Sequence, residues 1–393
     1  MQVRNQSYLR RKNKNSILEI LRTKTQSYSD IARELKLSNT AVSKIVDDLI
    51  EQDLVYRESD AKGRTGINLS INENYGYIVA IDLSRWQIVI SAANFSSEIL
   101  ETVYLEGINF RKSDLELIVN AVRMITESKK LKGLKLRCIS IATPGKIDKE
   151  SGEFILNPRF RELGAISLKT LFEKEFGCLV VLKNDINLAL AAEKTYGQTL
   201  SETVNALMLH IDVGVGAALL IDGKVYEGSH GFAGEIGYFK VNMLLDENNY
   251  GNLNFGNYFD STSLFSSLSI IKRELSLGRK SVISDWLKKR GQSWDDATIA
   301  DMIKAYNEND ELTVTVLHSA ARVIGNFAVC IAELLDVDAI ILNGSVSEFG
   351  ERYLNYISAF TKEYRVVYSE LKEKAPTMGA INAGILSVYD KIL

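Results

Sequence analysis

Two stretches of this sequence hold side chains that could do chemistry, and they call for different partners. Asn184-Asp185 follows the apolar run Leu179 to Lys183, which reads as a strand. A carboxylate at a strand end in a cleft can accept from a hydroxyl, and a vicinal diol needs two or three such fixed acceptors. The same pair also suits a helix N-cap, and both roles can hold at once. Far upstream, Ser38, Asn39, Thr40, Ser43 and Lys44 put short hydrogen-bonding groups and one cation on one side of a short helical segment. Small polar side chains at the start of a second helix can reach base edges in a major groove without pushing the backbone away. An ordinary helical hairpin with a solvated face would carry the same pattern.

The elements that must position the upstream group lie between Ser27 and Leu49. Ser29 can cap a first helix and Asp30 favours the positive end of its dipole, while Ile31, Ala32 and Leu35 share a face. Leu37 closes the corner, and Ser38 or Asn39 caps a second helix whose apolar stripe is Val42, Ile45 or Val46, and Leu49. Asn13 to Lys24 predicts a further helix in front of this pair. Leu54 to Tyr56 and the alternating Ile67, Leu69 and Ile71 predict a hairpin around the polar turn Ser59 to Gly66. Three helices and a hairpin make a winged helix-turn-helix. At the hairpin tip, Lys62-Gly63-Arg64-Thr65-Gly66 lets the backbone come close, and an Arg between glycines can enter a narrow A·T-rich minor groove. A plain glycine turn with solvated cations is the alternative.

Charge supports the nucleic-acid reading. The net charge of −3 hides an asymmetry: residues 1–64 hold 13 Lys/Arg against 9 Asp/Glu, and the remainder is acidic. Arg4, Arg10, Arg11, Lys12 and Lys14 fall within the first 14 residues, with no acid among them. A basic end on an acidic body attracts phosphate locally. At 393 residues the chain is long enough for two or three domains. No apolar run suggests a membrane span, and the N-terminus has no signal-peptide core. Cys138, Cys178 and Cys330 are widely spaced, as expected of buried thiols in a reducing cytoplasm.

From Tyr75 the pattern becomes α/β. Tyr77 to Ile81 is a strand running into Asp82, and Leu136 to Ala142 one that stops at Thr143-Pro144-Gly145. An Ala-rich helix follows Asp185. A second set repeats this arrangement: Asn205 to Ile211 into Asp212, a hairpin at Asp222-Gly223, a helical region over 260–335, and Ala339 to Leu342 into Asn343-Gly344. Strands feeding loops and helices twice over predict two similar lobes around a cleft. The expected division is a winged helix over 1–72, a first lobe over 73–194 with a C-terminal helix 377–393 packing back on it, and a second lobe over 195–376 for the effector cleft and oligomerisation.

Four stretches carry a resemblance. They are Ile141-Ala-Thr-Pro-Gly-Lys-Ile-Asp148 with Asn157-Pro158; Leu182-Lys-Asn-Asp-Ile-Asn-Leu-Ala189; Asp222 through Gly-Glu-Ile-Gly to Tyr238; and Asn343-Gly-Ser-Val-Ser347. Together they resemble the ROK group of bacterial repressors and sugar kinases, nearest to its xylose-repressor-type members. The resemblance implies an α/β protein: an N-terminal winged helix-turn-helix followed by a two-lobed actin-like, hexokinase-type (ribonuclease H-like) ATPase fold. In kinases of the group the Asp of the N-D pair is the general base, a role that would fall on Asp185. Asn184 and Glu235 would hold other hydroxyls, and Gly145, Asn157 and Tyr238 would complete an effector site, Tyr238 standing where the family has His.

The departures decide the activity expected. Where those kinases have D-x-G-G-T, this chain has Asp82-Leu83-Ser84-Arg85-Trp86. The second phosphate loop reads Asp212-Val213-Gly214-Val215-Gly216-Ala217-Ala218, with two glycines and a Thr missing. Its extra carboxylate would repel a phosphate by on the order of 4 kcal/mol in a partly wet site. ATP binding and kinase activity are therefore not expected, and Asp185 would be a vestigial base. The family's zinc site is not expected either, since residues 239–262 contain no Cys or His. His210, His230 and His318 read as structural. The implied protein is a cytoplasmic repressor of carbohydrate or xylose metabolism: a homodimer on palindromic double-stranded DNA, with a monosaccharide effector and no membrane. A sugar kinase carrying a DNA-binding domain and an effector-independent repressor are the alternatives.

Overall fold

The computed structural model describes residues 6–58, 68–85, 87–108, 110–147, 154–156, 167–239, 261–361 and 363–393. The chain divides into two units, Met1–Leu188 with Pro376–Leu393, and Ala189–Ala375.

The first unit begins with three helices, α1 (Gln6–Thr23), α2 (Tyr28–Leu35) and α3 (Asn39–Glu51). Ser27, not Ser29, caps α2: its hydroxyl accepts from the Asp30 amide. It also donates to the Asp30 carboxylate at 2.6 Å, which holds that carboxyl below its usual range. Ser27 wins because it belongs to a short strand, Gln26–Ser27, that pairs with Asn68 and Leu69. The sheet order is Gln26–Ser27, Asn68–Ile71, Val55–Glu58, so the wing has a third strand that periodicity did not announce. Lys36 turns the corner after α2 in the left-handed region at φ 54°. Helix α1 starts well ahead of the expected Asn13 because its polar first turns find partners far along the chain, described below.

A five-stranded sheet follows, in the order Leu179–Asn184, Leu136–Thr143, Tyr77–Asp82, Ile88–Asn94, Ile99–Leu105. The first three are parallel and the last two antiparallel. Tyr77–Asp82 is buried along its whole length, the mark of a central strand covered on both faces. Tyr77, Val79 and Ile81 face a core shared with helices Lys112–Thr126 and Leu168–Phe176. Ile78 and Ala80 face the other way, into a core with the C-terminal helix Ala375–Ile392.

That second core does not stop at the sheet. Ile17, Leu18, Val42, Val46 and Leu49 of the three helices lie in one continuous apolar cluster with Ala93, Phe95, Leu188, Ile381, Ile385 and Tyr389. Each fully buried side chain of this size contributes about 1.5–3 kcal/mol. Two glycines of the C-terminal helix permit the approach. A Cβ on Gly379 would lie 2.1 Å from the Leu188 carbonyl, and one on Gly384 would lie 2.5 Å from Ile78. Glycine inside a helix costs about 1 kcal/mol relative to alanine, which close packing must offset here.

The second unit centres on a sheet ordered Lys224–Val225, Val215–Ile221, Ala206–Ile211, Ala339–Asn343, Arg365–Tyr368. The Asp222-Gly223 turn has positive φ at both residues, 52° and 71°, as a two-residue hairpin requires. Helix Glu311–Leu335 supplies much of the core, burying Leu312, Val316, Leu317, Val323, Ile324 and Phe327. By length and composition alone this helix could cross a membrane, but half of its apolar window is buried inside the protein, as in a core helix. The cysteines amend the sequence reading. Cys138 is buried and its thiol pKa is pushed up by burial, and burial raises that of the half-buried Cys178 to about 11, whereas Cys330 is exposed.

His318 on the same helix sits beside the Tyr306 hydroxyl at 3.2 Å and stacks on Tyr356 at 3.7 Å between centroids. Burial, and then the Arg352 charge, lower its pKa. The unfolded chain takes up this proton near pH 6.5 while the folded one resists, so stability is lost as pH falls below about 6.5. His318→Gln should therefore show a smaller drop in Tm between pH 7 and pH 5 than the unaltered chain. An equal drop in thermal melts would assign the pH dependence elsewhere.

Candidate nucleic-acid interface and effector site

On α3 the two faces differ sharply. Val42, Val46 and Leu49 are fully buried and Ile45 nearly so, while Ser38, Asn39, Thr40 and Lys44 are exposed and Ser43 is half-buried. The Ser38 hydroxyl caps the helix, accepting from the Ala41 amide at 3.2 Å, and its hydrogen can still be donated. Lys44 makes no ion pair among the described residues. The N-terminal end of α3 adds its own partial positive charge. Short donors, a cation and a helix N-terminus along one exposed edge fit a phosphate-lined groove. Lys62, Gly63 and Arg64 lie outside the described residues, between the strands Val55–Glu58 and Asn68–Ile71 that form the arms of the hairpin.

Three of the N-terminal cations also make contacts within the fold. Arg10 pairs with Asp48, Lys14 reaches the same carboxylate at 3.4 Å, and Arg11 holds Asp390 at 2.9 Å. Lys14 is 7% exposed. These three cations fasten α1 to α3 and to the C-terminal helix, so the phosphate-facing charge is smaller than composition suggests.

The effector candidates distribute between the units. In the first unit the Asn184 side-chain oxygen accepts from the amides of Ile186 and Asn187, both at 3.0 Å, which makes Asn184 the N-cap of helix Asp185–Tyr196. Its amide donates to the Gly145 carbonyl at 3.3 Å. Gly145 adopts φ +83°, a conformation that favours glycine. Asp185 is 5% exposed and accepts from the Ile186 amide at 3.0 Å. Gly145, Asn184 and Asp185 are thus brought together, with the cap role visible in both Asn184 and Asp185. Asn157 lies outside the described residues.

Glu235 and Tyr238 are carried by the second unit, at either side of the single turn Ile236–Tyr238, with Tyr238 56% exposed. Gly234 pins this loop: its carbonyl accepts from Ala217 at 2.8 Å, and a Cβ there would lie 1.9 Å from the Ala217 carbonyl. Sequence reasoning overlooked Asn187. It is 9% exposed, and its side-chain oxygen has no hydrogen-bond partner among the described residues. A buried acceptor left unpaired costs about 1–3 kcal/mol, which a ligand hydroxyl could recover. The signal was present in the N-D-I-N spacing.

The carboxylates that head the two loops matched above to the kinases' phosphate loops are hydrogen-bonded within the fold. Asp82, fully buried, accepts from the Ser84 amide at 2.9 Å, from the Ser84 hydroxyl, and from Thr377 at 3.2 Å. Leu83 is buried, and Trp86 lies outside the described residues. In the second unit the Asp212 carboxylate accepts from the Val213 amide at 2.7 Å and from the Ser345 amide and hydroxyl at 3.0 and 2.8 Å. The extra carboxylate thus occupies the donors of Val213 and Ser345. Burial first, and then Asp212 and Glu373, raise the pKa of Glu348, as expected in a region already negative. Asn343 is engaged by His210 at 2.8 Å, which gives His210 a structural partner. The zinc expectation falls on residues 239–262, of which 240–260 lie outside the described residues.

The ROK family matches residues 78–382, and a MarR family match covers residues 17–64. A xylose repressor from Caldicellulosiruptor bescii is 27% identical over 96% of this chain and 96% of its own length. The crystal structure of a ROK family transcriptional regulator, a homologue of the Escherichia coli MLC protein, superposes with a TM-score of 0.80 at 20% identity, covering 97% of each chain. A ROK family glucokinase from Streptomyces griseus, in complex with glucose and AMPPNP, reaches a TM-score of 0.64 at 22% identity, over 79% of this chain and 99% of its own. The fold is that of a winged helix-turn-helix joined to the actin-like, hexokinase-type architecture, and the chain belongs to the ROK family.

Proposed function

We propose that this chain is a DNA-binding transcriptional repressor of carbohydrate genes, acting in the cytoplasm as a homodimer on a palindromic site, with no phosphotransfer activity. The observation that carries it is the exposed polar edge of α3 on a helix whose other side is fully buried. Similarity to a xylose repressor supports a sugar-like effector. Asp185 and Asn187, the acceptors at the start of helix Asp185–Tyr196, are the groups to bind its hydroxyls, with Gly145 and Asn184 shaping the turn. Glu235 and Tyr238 are further candidates. Effector binding would shift operator affinity by favouring one conformational state, a coupling of roughly 1–3 kcal/mol. The internally hydrogen-bonded Asp82 and Asp212 support the absence of kinase activity.

Selection of bound duplexes from a random pool tests the reading. Enrichment of a two-fold symmetric sequence supports it, and no enrichment removes it. ATP consumption with a panel of hexoses, pentoses and N-acetyl sugars tests the kinase alternative, and turnover lost on Asp185→Asn would establish that alternative. For the wing, Arg64→Ala should weaken binding about tenfold on A·T-rich flanks and less on G·C-rich ones, read by titration against matched duplexes. Equal loss on every flank would mean the wing does not enter the minor groove.

A further inference from the structure

The C-terminal helix touches two functional regions of the first unit at once. Near its start, the Thr377 hydroxyl donates to Asp82 at 3.2 Å, and Gly379 lies directly against the carbonyl of Leu188, one turn beyond Asp185. Near its end, Asp390 accepts from Arg11 at 2.8 and 2.9 Å, through its carbonyl and its carboxylate, and from Asn15 at 3.4 Å. Between them, Asn382 accepts from Arg22 at 2.8 Å, and Arg22 also donates to Ser97 at 2.7 Å. Arg11 and Arg22 meet Asp390 and Asn382 in reversed order, so α1 and the C-terminal helix run antiparallel. The helical span from Thr377 to Asp390 is about 20 Å at 1.5 Å per residue.

We propose that the C-terminal helix is the rod that carries a displacement of the Asn184–Asp185 turn to the DNA-binding helices. It has no slack at the input end. Gly379 leaves no room between its backbone and Leu188, so that turn cannot move toward the helix without moving it. At the output end Ile381, Ile385 and Tyr389 share a core with Ile17, Leu18 and Leu21 of α1. The Arg11–Asp390 pair is half-exposed and therefore weak, so it sets the register of the two helices while apolar contact transmits the force. The inference takes its physiological input from the effector reading above, but its test does not.

Hydrogen–deuterium exchange on the intact protein, without DNA or sugar, tests it. Gly379→Ala forces the helix away from Leu188 and should make α1 amides exchange at least about tenfold faster. Ile139→Val, in the core on the other face of the sheet, is the control, with both proteins compared at urea concentrations giving equal stability. Unchanged α1 exchange in Gly379→Ala, or equal acceleration in the control, would overturn the proposal. Should Gly379→Ala fail to fold, Thr377→Val removes one hydroxyl and should show a smaller acceleration of α1, and no acceleration would count against the rod equally. If no duplex is ever selected, the repressor reading falls while the exchange result still decides this one.

Discussion

Lys44→Glu should lower operator affinity by about 100-fold, or roughly 2.8 kcal/mol at tenfold per 1.4 kcal/mol. The side chain is exposed on the polar edge of α3 and makes no ion pair among the described residues, so the folded chain loses little when its charge is reversed. Tm should stay within about 1 °C of the parent. The milder Lys44→Ala should leave sequence preference intact and make the slope of log affinity against log salt shallower by about one. Those signatures separate a phosphate contact from a base contact. Titration of the selected duplex at several salt concentrations checks both. Full retention of affinity by Lys44→Glu would place the interface on some other surface.

Tyr389→Ala is expected to carry the largest stability effect, a loss of about 3–5 kcal/mol. Tyr389 is fully buried and packs on Phe95 with ring centroids 5.8 Å apart, and Phe95 in turn meets Tyr75 at 5.1 Å. Because its apolar cluster includes α1 and α3, the winged helix and the first sheet should lose structure in one transition. Circular dichroism and exchange protection, followed through the same urea titration, read this. Helices α1–α3 still protected after the sheet has lost protection would show that the winged helix stands alone.

The parts of this molecule legible in the sequence are those set by neighbours a few residues away. The stripe Val42, Ile45, Val46 and Leu49 follows from helical spacing, Tyr77–Asp82 from an unbroken apolar run, and the hairpin turn from Asp222-Gly223. What escaped was decided at long range. Ser27 and Ser29 are equally good caps until Gln26–Ser27 pairs with a strand some forty residues on. Arg365–Tyr368 is a short, half-exposed strand completed only by its pairing with Ala339–Asn343. The basic residues near the N-terminus look free until Asp390 is found beside Arg11, 379 positions away.

The candidate site shows the same division. That Asp212 brings a negative charge to this loop was readable from the sequence alone. That Ser345 would donate to it required the fold to set Ile211 beside Asn343-Gly344, where Gly344, at φ +98°, has no room for a Cβ next to the Ile211 carbonyl. Asn184 was ambiguous between cap and ligand on paper. The structure shows its oxygen capping a helix and leaves the Asn187 oxygen without a partner among the described residues.

The shared core has a consequence for how the protein is made. Arg22 and Asn382, which join across it, are 360 positions apart. A nascent chain can cover the apolar side of α1 with α2, α3 and the strand Asn68–Ile71 early in translation, whereas the tie to Asn382 waits for its last residues. The clasp between the reader head and the helix Ala375–Ile392 is thus closed only after the body has been synthesised.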